Sequence, residues 1–209
     1  MKQPYKLKDG SIVPGCTTIC NMLDKPQLLK WVAKLTKEGK DWEEERDSAG
    51  DAGTLAHAMI MSYWTKENID IAGYSFEQIG QAYFCYSKFL KWPTLPDIEP
   101  ILIETELLSE ELGFGGKPDI YAKVISTNKK RRVDIKTSGG IYDSYWYQLA
   151  GYDILGIENK YPADEHQILW LPKDNRFDDP IRTDLRREKR IFKYLLSIYK
   201  ERKANEPPF

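Results

Sequence analysis

The chain has 209 residues, 41% hydrophobic and 30% charged, with 31 Lys and Arg against 32 Asp and Glu. That balance excludes a disordered chain and a polycation, and no apolar run approaches the ~18 residues that span a bilayer. The N-terminal MKQPYKLKDG lacks the apolar core of a secretory signal, so a cytoplasmic, non-secreted protein with no membrane partner is expected.

Tyr5 to Pro14 reads as a hairpin turning at Asp9-Gly10. Thr17 or Thr18 caps a short helix through Leu23. Pro26 opens a helix to about Glu38, with Leu28, Leu29, Val32 and Leu35 as its apolar stripe, and Gly39 stops it. Residues 41–51 are acidic and lack apolar periodicity beyond Trp42, so no element is expected there. From Gly53 to Trp64 the pattern is helical, with Leu55, Ala58, Met59 and residues 61–63 on its buried side. Another helix runs from Gly73 or Ser75 to about Trp92, striped by Phe76, Ile79, Tyr83, Tyr86 and Leu90, and Pro93 and Pro96 end it.

Ile98 to Ser109, Phe114 to Ile125 and residues 131–137 read as three strands of an antiparallel meander. Asp143 or Ser144 caps a helix through Leu155, and His166 to Leu171 is a fourth strand. Asp184 caps a last helix to about Arg202, with Leu185, Ile191, Tyr194, Leu195, Ile198 and Tyr199 apolar, before a loose tail at 205–209. The expected fold class is α/β (α+β): a central mixed sheet flanked by helices. One domain is expected over 1–209, with an N-terminal helical lobe over 1–95 and the sheet-bearing core over 96–209. Cys16, Cys20 and Cys85 are too few for a disulfide framework or a four-cysteine cluster, and read as small buried side chains.

Two strands each carry one acid in an apolar setting: Asp119 in Pro118-Asp119-Ile120-Tyr121 and Asp134 in Val133-Asp134-Ile135-Lys136. A carboxylate inside a strand is costly unless something pairs with it. Residues i and i+2 share a face, so Asp134 and Lys136 point the same way while Ile135 points into the core. Two acids beside an ammonium suit a hard divalent cation and a phosphate, because such cations take oxygen ligands and can activate water. The competing reading is a surface strand with an ion pair, since Asp-x-Lys is a short motif. Basic segments at Lys25–Lys40, Lys129–Arg132 and Arg182–Lys193 are either phosphate contacts or solvated faces.

Four motifs, two of them holding these acids, fall in order: Gly53-Thr54-Leu55-Ala56-His57, Gly116-Lys117-Pro118-Asp119, Asp134-Ile135-Lys136-Thr137 and Gln148-Leu149-Ala150-Gly151-Tyr152, with Glu104 lying 15 residues before Asp119. With them the chain, over roughly residues 11–155, resembles the PD-(D/E)XK nuclease superfamily. It is most similar to the branch holding the RecB nuclease domain, CRISPR-associated exonucleases and the mitochondrial genome maintenance exonuclease. Val13 to Ile19 and Leu29-Lys30-Trp31 are similar to phage-type members. The resemblance implies an αβββαβ core and a Mg²⁺- or Mn²⁺-dependent deoxyribonuclease. Asp119, Asp134 and the Ile135 carbonyl would be metal ligands, His57 a further ligand and Glu104 an accessory one. Lys136 would position or activate water, and Gln148 and Tyr152 would orient Lys136 or touch the substrate. The cysteine count departs from the members that carry an iron–sulfur cluster, so no such cluster is expected.

The implied activity is exonucleolytic, at single-stranded DNA or duplex ends, in phage-type recombination, replication or repair, with a single-strand annealing or binding protein as a possible partner. A structure-specific or flap endonuclease and a catalytically inactive nucleic-acid-binding domain are the alternatives. Lys117, Thr137, Lys34, Arg186 and Arg187 are the expected DNA contacts. Tyr145 and Trp146 are the preferred stacking residues among Trp31, Trp42, Trp64 and these two.

Overall fold

A computed structural model describes residues 4–23 and 26–204. The tail expected to be loose, 205–209, and Lys25 of the first basic segment lie outside them. The hairpin forms as β1 (Tyr5–Lys6) and β2 (Ile12–Val13), and α1 (Cys16–Cys20) follows directly. Two helices, α2 (Pro26–Lys37) and α3 (Trp42–Thr65), come next.

The acidic stretch at 41–51 is helix, not loop. Asp41 caps α3, its carboxylate accepting from the backbone N–H groups of Glu43 and Glu44, and Glu43, Glu44 and Glu45 fill the first turn. Acids there meet the positive end of the helix dipole, which substitutes for the missing apolar periodicity. Downstream α3 buries Leu55, Ala56, Met59 and Ile60, while Ala58 is exposed.

Two other stripes are corrected. On α2 only Leu35 is buried, and Leu29 is 73% exposed. Helix α4 (Phe76–Leu90) starts with a Ser75–Gln78 capping box. It turns Gln78, Ala82, Cys85 and Phe89 inward, so Phe76, Tyr83 and Leu90 face out.

After a 3-10 turn at Leu95–Asp97, the two long strands expected from sequence break into four. They are β3 (Ile98–Ile103), β4 (Leu107–Ser109), β5 (Phe114–Gly116) and β6 (Ile120–Val124). β4 and β5 form their own two-stranded sheet. The chain leaves the main sheet at Glu104, whose φ of +42° lies in the left-handed region, and at Lys117–Asp119.

The main sheet adds β7 (Lys129–Lys136), β8 (Glu165–Trp170) and β9 (Ile181–Arg182) in the order β3-β6-β7-β8-β9. β3, β6 and β7 make the expected antiparallel meander, and β8 runs parallel to β7. The crossover between them is α5 (Asp143–Glu158). Tyr142, not Asp143 or Ser144, occupies its cap position, without a side-chain bond. Helix α6 (Arg186–Ala204) closes the described chain, its Arg186 N–H held by Asp184. It buries Phe192, Leu195 and Leu196, and leaves Tyr194 and Ile198 exposed.

The result is a mixed sheet between two helical layers. Ile120, Ala122, Val124, Val133 and Ile135 face α3 and α4. On the other side, Ile168 and Trp170 pack with Trp146 and Leu149 of α5. α1 leaves the other N-terminal helices and packs with α5 and α6 through Cys16, Ile19, Tyr152, Leu155 and Phe192. The cysteines of α1 and α4 are buried and unbridged. Among the described residues no helix is long and apolar enough to cross a membrane.

The α5 side of β7 carries charge as well as carbon. Arg132, wholly buried, donates to Asp153 at 2.7 Å and to the Tyr161 carbonyl at 2.8 Å. Gly156 makes room for it: a Cβ there would stand 1.9 Å from Arg132 Nη2 and 2.7 Å from the Tyr161 oxygen. Gly156→Ala therefore displaces a buried ion pair, and chemical denaturation should show a loss of about 3 kcal/mol or more; an unchanged midpoint would contradict this packing.

Candidate functional site

The end of β7 gathers the chemistry. Asp134 and Lys136 project together from one side of the strand, and Lys136 Nζ stands 2.7 Å from Asp134 Oδ2. Among the described residues, this ion pair is what compensates the buried Oδ2. Asp119 sits at the break before β6, where its own carbonyl accepts from the Glu104 N–H at 2.8 Å. Its Oδ2 accepts from the Ile135 N–H at 2.6 Å, which ties the two acid-bearing segments together.

Helix α3 supplies His57. Gly53 lets the helix approach the end of β7 closely, since a Cβ there would meet Thr137 Oγ1 at 2.9 Å. One turn on, His57 Nδ1 lies 3.8 Å from Asp119 Oδ1, and the ring is beside the Ile135 backbone. Glu104 stands on the rim, its carboxylate 2.9 Å from Lys117 Nζ. A non-glycine residue in left-handed backbone costs energy, and here it holds an acid beside the site.

Helix α5 positions the lysine. Gln148 Oε1 accepts from Lys136 Nζ at 3.0 Å, while Gln148 Nε2 donates to Tyr152 Oη at 2.8 Å and to Thr17 Oγ1 at 3.0 Å. The i, i+4 spacing puts Gln148 and Tyr152 on one helical face. Tyr145 lays its ring 5.0 Å from Lys136 Nζ and donates its hydroxyl to Ser138 Oγ at 2.7 Å.

The electrostatics are those of an acid pair that its one ammonium only partly compensates. Burial pushes Asp119 up to about 6, against the opposing pull of Lys136. Burial also pushes Asp134 up to about 6, with Asp119 adding to it and Lys136 opposing. Burial, with Lys136 nearby, lowers His57 to about 4, so its imidazole is neutral at pH 7. Burial pulls Lys136 down, but Asp134 and Asp119 more than offset this, and it remains an ammonium.

This donor set suits a hard divalent cation: two buried carboxylates, one oxygen of which has only the Lys136 ammonium beside it among the described residues, a neutral imidazole and the Ile135 backbone. The side chains do not form a ready-made cage, since among the described residues no group of three or more His, Cys, Asp or Glu is drawn together tightly enough to hold an ion.

The expected contacts outside this centre divide. Lys117 and Thr137 border it. Trp146 is not available for stacking: it is 4% exposed, packs among Leu149, Ile168 and Trp170, and is covered by the Arg182 guanidinium at 4.0 Å. Trp64 is likewise held edge-on against Tyr63 and Phe89. Lys34 of α2 pairs with Glu38 just beyond the helix, and Arg186 with Asp184 at the start of α6; Arg187 is exposed there. The basic run at 129–132 is mostly structural, since Lys129 and Arg131 bind Glu165 and Arg132 binds Asp153.

Thr17 and Ser138 join the site without having been singled out. Thr17 lies 131 positions from the Gln148 it bonds, so only the hydroxyl-rich Cys16-Thr17-Thr18 turn could have hinted at it.

No family model and no curated protein sequence matches the chain. The fold is similar to that of a crystal structure described as "Putative exonuclease" from Eubacterium rectale, at 12% identity and a TM-score of 0.50. The match covers 73% of this chain and 66% of that one, just under two thirds of its length. A second solved structure, SSO0001, matches at 18% identity over 78% of this chain and 77% of its own, with a TM-score of 0.38, which is too low to carry an argument. At these identities the likeness is one of fold.

Asp119 makes the site testable without any substrate. Its folded value, about 6, exceeds the ordinary 3.8, so its contribution to stability is full below 3.8 and lost as pH rises through about 6. In EDTA, Asp119→Asn should be more stable than the parent by about 1–3 kcal/mol above pH 6.5, with the gain gone by pH 4. Urea unfolding at the two pH values measures it, and a variant less stable at both would contradict the burial argument.

Proposed function

We propose that the chain is a divalent-cation-dependent deoxyribonuclease of the exonuclease type, hydrolysing phosphodiester bonds from DNA ends. The observation that carries this is the junction of Asp119, Asp134 and Lys136 at the end of β7, with Lys136 held by Gln148 and Gln148 by Tyr152. Asp119, Asp134, the Ile135 carbonyl and His57 are the residues that would hold Mg²⁺ or Mn²⁺, with Glu104 accessory. Such an ion supplies a Lewis acid that makes its bound water nucleophilic and shields phosphoryl charge.

The chain's own groups account for the rest. Lys136 carries its proton, so it serves as a fixed cation and donor rather than as a base. Held at Gln148 Oε1, it faces the negative charge that builds on the phosphoryl oxygens as water attacks phosphorus and the bridging P–O bond breaks. Gln148 can orient the ammonium because its amide is fixed at the other end by Tyr152 and Thr17. Tyr145 closes one side of Lys136 with an aromatic face. Lys117 and Thr137, at the rim, would touch the DNA backbone.

End-labelled linear DNA should be degraded with Mg²⁺ or Mn²⁺ and spared in EDTA, while a covalently closed circle stays intact. Lys136→Ala and Asp119→Ala should each lower the rate at least about 100-fold while keeping the fold by circular dichroism. Cleavage in EDTA would defeat the cation-dependent reading. Cutting of the closed circle would replace exonuclease with endonuclease, and near-parental rates for both variants would misplace the site.

A further inference from the structure

The outward face of α4 is uncovered among the described residues. Phe76, Tyr83 and Leu90 recur every seven residues along it and are 96%, 61% and 44% exposed. The half-buried Ile79 and Tyr86 fall between them, so the stripe has the three-and-four spacing of a helix-pairing seam. Single exposed apolar side chains are ordinary, but an aligned set running the length of a helix is not.

The face is also free of charge, where a surface helix ordinarily turns charged side chains outward. Of residues 78–90 only Lys88 carries a charge. Its ammonium turns aside to the loop after β8, donating to the carbonyls of Pro172, Asp174 at 2.9 Å and Arg176 at 3.0 Å. Gly80 and Ser87 leave gaps beside the large residues. A Cβ at Gly80 would meet nothing within 4 Å, and Ser87 folds its hydroxyl back onto the Phe84 carbonyl at 2.8 Å. The Tyr83 ring leans on Tyr86, their centroids 6.4 Å apart, and Tyr86 stacks on the buried Phe89. Rings braced from below in this way can act as knobs for the gaps of a facing helix.

Charge reappears at the two ends, with Glu77 in the first turn and Lys91 at the C-cap. Neither is in an ion pair among the described residues. We propose that this face pairs with a second copy of the chain, the two α4 helices running antiparallel about a twofold axis near Phe84. That register sets Glu77 of each copy beside Lys91 of the other. It brings the two Tyr83 rings together at the axis and lays Phe76 at the Leu90 end of the facing helix. A parallel pairing would set like charges against each other at both ends, and opposed helix dipoles favour the antiparallel one.

At about 200 Å² for a whole aromatic side chain, Phe76 and Tyr83 alone expose on the order of 300 Å² per copy. A standard interface buries roughly 800 Å² per partner, so the stripe supplies its apolar centre and suits a reversible dimer rather than an obligate one. A lipid surface is the poorer occupant. Helices that lie on membranes flank their apolar face with several Lys or Arg, whereas Glu77 and Gln81 border this stripe and Lys88 is taken up by carbonyls. The pairing does not depend on the nuclease reading, since none of the side chains grouped at the end of β7 lies on α4.

Sedimentation of the full chain tests this. From about 1 to about 300 µM the parent should shift from monomer towards dimer. Tyr83→Glu, which sets two carboxylates at the axis, and Phe76→Glu should each raise the dissociation constant about tenfold or more. Glu77→Lys and Lys91→Glu should each weaken pairing. An equimolar mixture of these two variants should pair at least as well as the parent, because each facing end then joins Lys to Glu. Thermal melting checks that every variant folds. A parent that stays monomeric throughout overturns the proposal, and flotation of that monomer with phosphatidylcholine–phosphatidylglycerol vesicles would give the stripe to a lipid surface instead. A dimer that survives both Tyr83→Glu and Phe76→Glu also overturns it, since another face then holds the copies. A mixture no better paired than its separate variants overturns the antiparallel register.

Discussion

The Lys136 ammonium is the constraint on which the rest of the site depends. Two carboxylates are buried within reach of it, and neither has enough compensation of its own. Asp134 Oδ2 has the lysine at 2.7 Å and no hydrogen bond, and Asp119 has one backbone N–H. Removing the cation would leave two buried acids to repel each other across the strand end, at a cost of several kcal/mol. Each neighbouring element can be read as holding this arrangement in place. α5 gives the lysine a fixed acceptor, α1 anchors that acceptor, and α3 is drawn in at Gly53 to bring His57 alongside.

The same strand offers its own control. On the α5 side of β7, Arg132, Asp134 and Lys136 follow one another at two-residue spacing. At Arg132 the fold has invested in pairing: Asp153 takes its guanidinium, Lys189 and His166 bear on the same carboxylate, and Gly156 clears space. Two residues later this stops, and acids are left with raised pKa values next to an exit from the sheet. Buried charge is tolerated in proteins when paired, and uncompensated charge at the edge of a fold marks a place built to meet something else. Arg132 Nε and His166 Nδ1 are also buried without a hydrogen bond, so the contrast along these five residues lies in the raised acids, and it is these that favour a working site over a merely stabilising ion pair.

Much of this was legible in the sequence because it follows from local periodicity. The two-residue repeat put Asp134 and Lys136 on one face, and the four-residue repeat put Gln148 under Tyr152. The mixed sheet with helices on both sides followed from the order of apolar runs. What could not be read depended on distant partners. The basic run at 129–132 looked like a phosphate patch because Asp153 and Glu165, which neutralise it, are 21 to 36 residues away. Trp146 looked available because nothing local announces that Arg182 will cover it. The first half of α3 failed for another reason. Its helix is set by Asp41 and the dipole rather than by an apolar stripe, and periodicity is blind to that. On α4 the stripe through Phe76, Tyr83 and Leu90 has the right spacing on the wrong side, because the smaller Ala82 and Cys85 allow the closer contact with α3.

Those internal pairings also bear on how the surface can meet a polyanion. Of the clustered cations, Lys129, Arg131, Arg132, Arg182, Arg186 and Lys189 have acidic partners. Those six are committed within the fold, in a chain whose net charge is −1. On the nuclease reading, cations paired in this way would add little to the attraction for a phosphate backbone, and binding would depend on salt less than in a protein that tracks a long duplex. Affinity has to come instead from contacts with unpaired bases, which are worth about 1–3 kcal/mol each when a base stacks on an aromatic ring. On the nuclease reading, that balance would favour strands whose bases are already free over the interior of a duplex.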